Sequence, residues 1–434
     1  MRRRDLLLAA AALGVPMPVL GRSRAAGDAR HLVVVFAEGG WDVTFCFDPK
    51  LSCTSPDGAP CPVEGPEVDE DPEDPEDREA VQTFAGIPIV VNDRKRPSVR
   101  RFFERWAGSA HVVNGIWSGS IAHVPCRYRM LTATQDGRAP DMATIAGYAH
   151  GAGLPLGSVD LSGWSIAGPL AASSGRLGAS SQLAGLLDPS ALGTPVNAPS
   201  DYPFFEPHPD DDALLEAWVR RRADGLRGRF GDGGANDRAI DDLVASLDRG
   251  DAFRERAEPV LGALSVGRTS SLAEQADIAV ELLTRGVCHA VTLDTRERWD
   301  THDANAGQHA MYQRTFAGLD RLMAGLSDAG LLDRTVVAVV SEMTRTPLRN
   351  AATGKDHWGH GSALLLGAVR GGAVSGATDQ QVESLPMELS TGEPHPDGRL
   401  CRYDAFCAGL LELVGVDPEG WLPGVVPFRG AHPV

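Results

Sequence analysis

The chain of 434 residues has no Cys-x-x-Cys pair, a deficit of positive charge and, beyond its first twenty residues, no long uninterrupted apolar run. The missing Cys-x-x-Cys spacing excludes a zinc ribbon. The formal net charge of −17 repels phosphate backbones and anionic lipid surfaces, so nucleic-acid and membrane-surface binding are disfavoured. Without a run of about 20 apolar residues, no integral membrane segment is expected after residue 26. An internal repeat is also absent from the sequence.

The amino terminus has the layout of an export signal. Three arginines at positions 2–4 precede an apolar stretch that ends at Leu20, and small residues follow around Ala25 and Ala26. The run Arg3-Arg4-Asp5-Leu6-Leu7 resembles a twin-arginine signal. Residues 1–26 are therefore predicted to be a signal peptide, and the remainder is predicted to be periplasmic or extracellular.

An exported protein can form disulfide bonds, but the seven cysteines are an odd number, so at least one stays unpaired if the others are bridged. Local bridges are expected among Cys46, Cys53 and Cys61 and between Cys401 and Cys407. The sequence does not specify their connectivity.

The rest of the chain, 31–434, is predicted to be a single α/β domain with two insertions. Residues 46–79 are rich in Pro, Asp and Glu, and like charges with prolines predict a solvated, flexible segment. Residues 155–267 contain several Gly/Ser/Pro stretches and one polar helix, and are interpreted as insertion or cap material.

The fold class follows from the alternation of apolar runs and amphipathic helices. Continuous apolar runs typical of buried strands lie at 31–37, 87–91, 110–114, 288–293 and 335–340. Helical periodicity is found at 98–106, after the capping box Ser271-x-x-Glu274, and from Tyr312 to Leu326. This order predicts a doubly wound, mostly parallel sheet with helices on both faces.

Acidic and imidazole side chains follow successive predicted strands, and ligands of open α/β sheets collect at the carboxyl ends of strands. These residues are Asp42, His123, Asp300 with His302, Glu342, and, a little further on, His357 and His360. Oxygen and nitrogen donors from separate segments at one edge predict a divalent metal site, with Zn²⁺, Mn²⁺ or Ca²⁺ as candidates. Each residue also has an ordinary interpretation, because an Asp after a strand often caps a turn and loop histidines are often solvated.

Four segments carry a resemblance to a known family. They are Leu32-Val-Val-Val-Phe-Ala-Glu-Gly-Gly-Trp-Asp42, Trp299-Asp-Thr-His302, Ser341-Glu-Met-Thr-Arg-Thr-Pro347 and Asp356-His-Trp-Gly-His360. Together with the twin-arginine signal, they resemble domain of unknown function family 1501. That family is similar in turn to the alkaline phosphatase and sulfatase superfamily, so the resemblance implies an alkaline-phosphatase-like fold.

The resemblance implies roles for individual residues. Asp42, Asp300, His302 and Glu342 match metal ligands of the superfamily, and His357 or His360 matches its late metal-binding histidine. His123-Val-Pro-Cys-Arg127 has the layout of the sulfatase nucleophile segment, so His123 and Arg127 are the implied catalytic residues. Arg345, like Arg127, is a candidate for neutralising an anionic substrate by bidentate hydrogen bonds.

One departure limits the implied activity. His123 occupies the position where a sulfatase has the Cys or Ser that becomes formylglycine, so that chemistry is disfavoured. Nucleophile, metal ligand and general acid remain open roles for His123. Cys126 is interpreted as a buried structural thiol. The expected function is metal-dependent hydrolysis of a phosphate or sulfate ester on a small anionic substrate; the alternative is an exported binding or assembly protein without turnover.

Overall fold

The computed structural model describes residues 29–51, 63–176, 209–261 and 270–433. The strands in these ranges are β1 (His31–Phe36), β2 (Ala80–Phe84), β3 (Ile87–Val91), β4 (Ala110–Trp117), β5 (Ser158–Asp160), β6 (Ser174–Arg176), β7 (Ala290–Asp294), β8 (Thr335–Val340), β9 (Thr344–Arg345), β10 (His357–Trp358), β11 (His360–Gly367), β12 (Ala373–Ser375) and β13 (Cys401–Arg402). The α-helices in these ranges are α1 (Pro97–Trp106), α2 (His123–Thr132), α3 (Met142–His150), α4 (Pro209–Phe230), α5 (Ala235–Leu261), α6 (Leu272–Thr284), α7 (Gln308–Asp328) and α8 (Tyr403–Leu413). None of these described helices combines the length and apolarity needed to cross a membrane. The predicted signal peptide lies outside the described residues.

Within the described ranges, nine strands form the main sheet, in the order β12-β4-β11-β8-β1-β7-β5-β6 with β13 also paired to β4. Every pairing in this sheet is parallel except those of β11, which runs antiparallel to both β4 and β8. The predicted mostly parallel α/β fold is confirmed.

Two hydrophobic layers cover the two faces of this sheet because side chains alternate along each strand. In β1, Val33 and Val35 pack into one layer with residues of α1, α6 and α7. Leu32, Val34 and Phe36 pack into the other layer with residues of α2, α3 and α8. Burial on both faces explains why the central strands read as continuous apolar runs.

Helix α6 fixes the end of β7, from which the loop carrying Asp300 departs. The predicted capping box is present: Glu274 N donates to Ser271 Oγ at 3.3 Å, and Ser271 N donates to Glu274 Oε2 at 2.6 Å. The buried side chain of Gln275 then bonds both backbone groups of Asp294, donating to its O at 2.9 Å and accepting from its N at 3.0 Å. The start of the helix and the end of the strand are thereby held together.

The structure differs from the sequence interpretation in the region 155–267. Strands β5 and β6 belong to the main sheet, where β5 pairs with β7, so residues 158–176 form part of the core fold. Strands of three residues are too short to produce a readable apolar pattern. Helix α4 contains the predicted polar helix, and α5 is a second helix that the sequence analysis did not predict.

The acidic segment also differs from its prediction where it is described. Glu79 forms an ion pair with Arg96 in which both side chains are fully buried. Asp69 pairs with Arg349 at 2.6 Å, and Asp77 pairs with Lys95 at 2.7 Å. Cations from other segments neutralise the like charges, so this part of the segment is packed against the domain.

The predicted bridge between Cys401 and Cys407 is wrong. Both are free, buried thiols on different elements, β13 and α8, as are Cys46, Cys126 and Cys288 among the described residues. Cys407 Sγ instead donates to Met130 O at 3.4 Å. Cys126 is fully buried and donates to Ser120 O at 3.1 Å, as expected of a structural thiol. Cys53 and Cys61 lie outside the described residues.

We expect the ionisation of Asp77 to make the free energy of unfolding decrease at low pH. Burial alone would raise the pKa of Asp77, but hydrogen bonds from Lys95 and Asn92 outweigh it and lower the pKa from 3.8 to about 2. Because the pKa of Asp77 is lower in the folded than in the unfolded protein, its ionised carboxylate stabilises the fold by about 2 kcal/mol. This contribution is fully present above about pH 4 and is lost as the pH falls through about 2. Chemical denaturation of wild type and Asp77→Asn should show this difference at pH 6 and almost none at pH 2; a pH-independent difference would contradict it.

Candidate metal centre

The candidate site lies at the carboxyl edge of the main sheet. Strands β1, β4, β7 and β8 all end at this edge, and the antiparallel strand β11 begins there. The chain therefore delivers to one place Glu38 after β1, His123 after β4, Asp300 after β7, Glu342 after β8, and His357 just before β11. This is the position expected for a ligand site in an open α/β sheet.

His123 is the first residue of α2 and lies between two carboxylates. Its Nδ1 is 2.9 Å from Glu342 Oε1, and its Nε2 is 3.4 Å from Asp300 Oδ2. The hydrogen bond to Glu342 is the main reason that the pKa of His123 is raised, with the charges of Glu342 and Asp300 adding to it. Because the Glu342 side chain is fully buried, it fixes the ring orientation and leaves Nε2 directed at Asp300.

Two imidazole nitrogens and a carboxylate oxygen of the site also lie within hydrogen-bond distance of one another. His302 Nε2 lies 2.9 Å from His357 Nε2, and Asp300 Oδ1 lies 3.1 Å from each of the two. His123, Asp300 and His357 each offer a ligand atom within 4.8 Å of the others, close enough to share one cation. The imidazole rings of His123 and His357 are in edge contact, with centroids 4.3 Å apart.

The outward nitrogens of these histidines determine their tautomers. His302 Nδ1 is 2.9 Å from Asp356 Oδ1, and His357 Nδ1 is 2.7 Å from Ile121 O. A carboxylate and a carbonyl only accept, so both Nδ1 atoms carry hydrogen. In the neutral rings the two Nε2 lone pairs then face each other at 2.9 Å, and their repulsion is relieved when a metal ion binds both nitrogens or when one ring is protonated and donates to the other.

Asp300 is positioned by a buried arginine and a close backbone approach. Burial alone would raise its pKa, but the hydrogen bond and charge of Arg345 outweigh it and lower the pKa to about 2. Arg345 Nη2 donates to Asp300 Oδ1 at 2.7 Å. Gly39, with φ +117°, passes so close that a Cβ there would lie 2.4 Å from Asp300 N. Asp300 is thus held as an ionised carboxylate.

The other hydrogen bonds of Arg345 show whether its guanidinium is free to bind an anionic substrate, as the sequence analysis predicted. Its guanidinium is buried and donates to the carbonyls of Gly39, Gly40 and Lys355 as well as to Asp300. Arg345 therefore lies beneath the site and supports it, and the structure does not present it to a substrate.

Asp42 is directed into different surroundings from the cluster. Its Oδ1 accepts from Thr44 N and Oγ1 at 3.1 and 2.7 Å, which caps a short 3-10 helix. Its Oδ2 accepts from Asn305 and lies 2.8 Å from Lys355 Nζ, in an ion pair that is almost completely buried. Asp42 is in neither of the described groups that could hold a cation.

His360 is likewise separate from the cluster. Its Nδ1 accepts from Ser384 N at 3.1 Å and lies 2.8 Å from Ser384 Oγ, and its ring contacts Trp358. Burial lowers its pKa. Of the two late histidines, the structure brings His357 to the site and leaves His360 in the sheet.

Sequence reasoning missed Glu38. With His123 and Glu342 it forms a second group whose ligand atoms lie within 4.8 Å of one another. Burial raises the pKa of Glu38, and the charge of Glu342 adds to this, whereas His123 and Arg127 oppose it. Its position, two residues after β1, is a strand-end signal that the sequence contains.

Comparisons with known proteins bear on part of this chain. Residues 250–393 match the model of a family described as "Protein of unknown function (DUF1501)". The predicted family resemblance is confirmed over this stretch. It contains Asp300, His302, Glu342 and His357, but neither His123 nor Glu38. No curated protein sequence matches the chain significantly.

Solved structures are similar to the chain only at low identity. A sulfatase from Pseudoalteromonas sp. is 10% identical, covering 100% of this chain and 78% of that chain with a TM-score of 0.38. The phosphonate monoester hydrolase of Agrobacterium radiobacter is 12% identical, with coverages of 92% and 78% and a TM-score of 0.36. A protein in the alkaline phosphatase superfamily from Vibrio parahaemolyticus is 10% identical, with coverages of 96% and 76% and a TM-score of 0.36.

Proposed function

We propose that this chain is an exported, metal-dependent hydrolase of phosphate or sulfate esters. The observation that carries the proposal is the convergence of His123, His302 and His357 on Asp300, with the Nδ1 of every ring held by an acceptor. Histidines that ligate metals are typically oriented in this way by a carboxylate or carbonyl on the other nitrogen. Export by the twin-arginine route is part of the proposal and rests on residues 1–26.

The donor set fits a divalent cation. The ligands in this proposal are the Nε2 atoms of His123 and His357 and the carboxylate of Asp300, which can share one cation as they stand. His302 is outside that group, but its Nε2 lies 2.9 Å from His357 Nε2 and 3.1 Å from Asp300 Oδ1, so we propose it as a further ligand. Imidazoles with one carboxylate favour Zn²⁺ or Mn²⁺ over Ca²⁺. Facing lone pairs on His302 and His357 are the specific feature that a cation would relieve. When bound, such an ion supplies Lewis-acid polarisation of an ester oxygen and lowers the pKa of water.

The protein's own side chains have distinct tasks in this site. Glu342 holds the ring of His123, Asp356 that of His302, and Arg345 keeps Asp300 ionised. With His123 as a ligand, the position of the sulfatase nucleophile offers neither hydroxyl nor thiol. Water is therefore the attacking group in this proposal, and formylglycine chemistry is not part of it.

The second candidate is an exported binding or assembly protein on the same scaffold, with or without the metal and without turnover. The histidine at the nucleophile position favours it, because the usual covalent route is closed. Any metal that such a protein binds would serve its structure or the recognition of an anionic partner.

Metal content and turnover together distinguish the two candidates. We expect protein isolated from the periplasm to contain about one equivalent of Zn²⁺ or Mn²⁺ by mass spectrometry, and to hydrolyse aryl phosphate or aryl sulfate esters only when metal is bound. Bound metal without turnover on a broad ester panel would favour the binding protein. Protein that stays metal-free even after incubation with Zn²⁺ and Mn²⁺, and that hydrolyses no ester, would remove the hydrolase and leave the binding or assembly protein.

A further inference from the structure

The loop 346–356 connects β9 with β10 at the metal centre. The two strands are paired, with Arg345 opposite His357, so the loop begins directly after the buried arginine of the site and ends directly before a proposed ligand. Its last residue, Asp356, holds the ring of His302 through a contact of 2.9 Å between Oδ1 and Nδ1. The shape of this loop therefore sets the positions of two imidazoles at once.

Asn350 gives the loop its shape. Its Oδ1 accepts from Ala352 N at 2.9 Å and from Gly354 N at 3.1 Å, a turn closed by a short amide side chain on its own backbone. Its Nδ2 donates to Asp356 Oδ1 at 3.2 Å and to His302 O at 3.0 Å. One side chain thus fixes the turn and joins it to both partners of the contact between Asp356 and His302.

The described part of the acidic segment, 63–79, holds this loop where it begins. Glu64 N donates to Pro347 O at 2.9 Å, and Glu64 Oε2 accepts from Arg349 N at 2.7 Å. Arg349 Nη2 donates to Asp69 Oδ2 at 2.6 Å, in an ion pair whose side chains are only 15% and 12% exposed. Two backbone bonds and a mostly buried ion pair therefore connect the segment to the loop.

The other end of the acidic segment is anchored in the body of the domain. Glu79 forms its fully buried ion pair with Arg96, and Arg96 Nη1 also donates to His309 Nδ1 at 2.7 Å, on the first turn of α7. Asn92, which follows β3, donates to Asp77 Oδ1 at 2.7 Å and to Glu79 Oε1 at 2.9 Å. Because breaking a buried ion pair is costly, this anchor keeps the segment in place.

We propose that the acidic segment 63–79 is a clamp that positions the loop 346–356 for metal binding, and that Arg349 is the positioning residue through which it acts. The inference rests on the proposed metal centre. A loop that is already held in the conformation that carries the ligands loses less conformational entropy when a cation binds, so the affinity is higher.

The clamp is tested first by the Zn²⁺ affinity of protein isolated from the periplasm and stripped of metal, measured by competition with a chelator. We expect Arg349→Gln to weaken Zn²⁺ binding about tenfold, the lower end of the effect of losing a partner outside the ligand shell. Arg349→Lys keeps a cation opposite Asp69 and should stay within about threefold of wild type. Adding Asp69→Asn to Arg349→Gln should weaken binding little further, since both changes break one contact.

The sign of the change separates positioning from simple charge attraction. Removing a cation from the loop makes the field at the site more negative, so attraction alone would tighten Zn²⁺ binding in Arg349→Gln. The clamp instead requires weaker binding. Unchanged or tighter Zn²⁺ binding in Arg349→Gln overturns it.

Amide hydrogen exchange gives a second readout that does not depend on turnover. The amides of Glu64 and Arg349 each donate across the contact between the segment and the loop. Because coupling between two events is reciprocal, Zn²⁺ should slow exchange at these amides by the factor by which the clamp strengthens Zn²⁺ binding, about tenfold. In Arg349→Gln, exchange at Glu64 should be fast with and without Zn²⁺; protection by Zn²⁺ as in wild type contradicts the clamp.

Asp74→Asn is the matched control, compared with Asp69→Asn. Asp74 belongs to the same segment, but its carboxylate contacts Arg94 at 3.5 Å and accepts from Glu76 N at 2.9 Å. Both variants remove one negative charge from the segment, yet only Asp69→Asn breaks the contact with the loop. Asp74→Asn should bind Zn²⁺ as wild type does, and equal losses in the two variants overturn the clamp. This comparison also decides the matter if Arg349→Gln does not fold.

The outcomes separate this inference from the proposed hydrolysis. Zn²⁺ affinity that depends on Arg349 in a protein that turns over no ester keeps the clamp and removes the hydrolase. Metal-dependent ester hydrolysis with wild-type Zn²⁺ affinity in Arg349→Gln keeps the hydrolase and removes the clamp.

Discussion

Replacing His357 by Gln is expected to lower the affinity for the bound divalent metal at least about 100-fold and to abolish ester hydrolysis. The imidazole Nε2 of His357 touches both His302 and Asp300, so its loss removes a donor from the centre of the cluster. Loss of an outer hydrogen-bond partner alone typically costs 10–100-fold, and removal of a ligand should exceed that. The measurement is metal retained per chain after dialysis against a weak chelator, followed by the ester assay.

His360→Gln provides the matched control, since His360 lies three residues further on and bonds Ser384 instead of the cluster. It should retain metal and activity at the level of wild type. The reverse pattern, with metal lost in His360→Gln and kept in His357→Gln, would show that the side chains rearrange on loading and that the proposed ligand set is mistaken.

Replacing Asp42 by Asn is expected to destabilise the folded protein by about 3–5 kcal/mol while leaving the metal-binding side chains in place. The reason is Lys355, whose ammonium lies 2.8 Å from Asp42 Oδ2 with both side chains nearly fully buried. Removing one partner of a buried ion pair leaves the other charge unpaired in a medium of low polarity. Denaturant unfolding measures the loss, and metal content of the folded protein below the transition gives the second readout.

The double variant Asp42→Asn with Lys355→Met is the control for this prediction. Removing both charges should recover much of the stability, because the cost arises from the isolated ammonium and not from the missing pair. If Asp42→Asn lost metal while its unfolding free energy stayed unchanged, Asp42 would be a metal ligand, as the family resemblance implies, and the pairing with Lys355 would be secondary.

Much of the fold was readable from the sequence because the strands at the centre of the sheet are buried on both faces. The apolar run at 335–340 coincides with β8, and that at 31–37 differs from β1 by one residue. The sheet margins were not readable. Strands β5, β6, β12 and β13 have only two or three residues each, so neither their periodicity nor their composition distinguishes them from loops.

The candidate site was readable only as a collection of residues near one edge. His357 and His360 were equal candidates in the sequence analysis. In the structure, the pairing of His360 with Trp117 places it in β11, and the pairing of His357 with Arg345 places it in the short strand β10. The sequence analysis named Asp42 and passed over Glu38 because Asp42 is the residue that matches the family pattern. The choice between His357 and His360, and that between Asp42 and Glu38, requires knowledge of the cations and hydrogen-bond acceptors that other segments bring to each side chain.

The order of apolar runs and amphipathic helices by itself determined the α/β class and the edge at which strand-following residues meet, since hydrophobic periodicity is a local property of the chain. Only the tertiary structure decided which acids are neutralised and which stay available, because that depends on distances between segments far apart in sequence. Lys355 forms an ion pair with Asp42, more than 300 residues away in sequence, and Arg345 forms one with Asp300. His123, His302 and His357 lie close to one another without such a cation between them. Burial makes each of these pairings matter, because an unpaired charge is costly where water does not reach it.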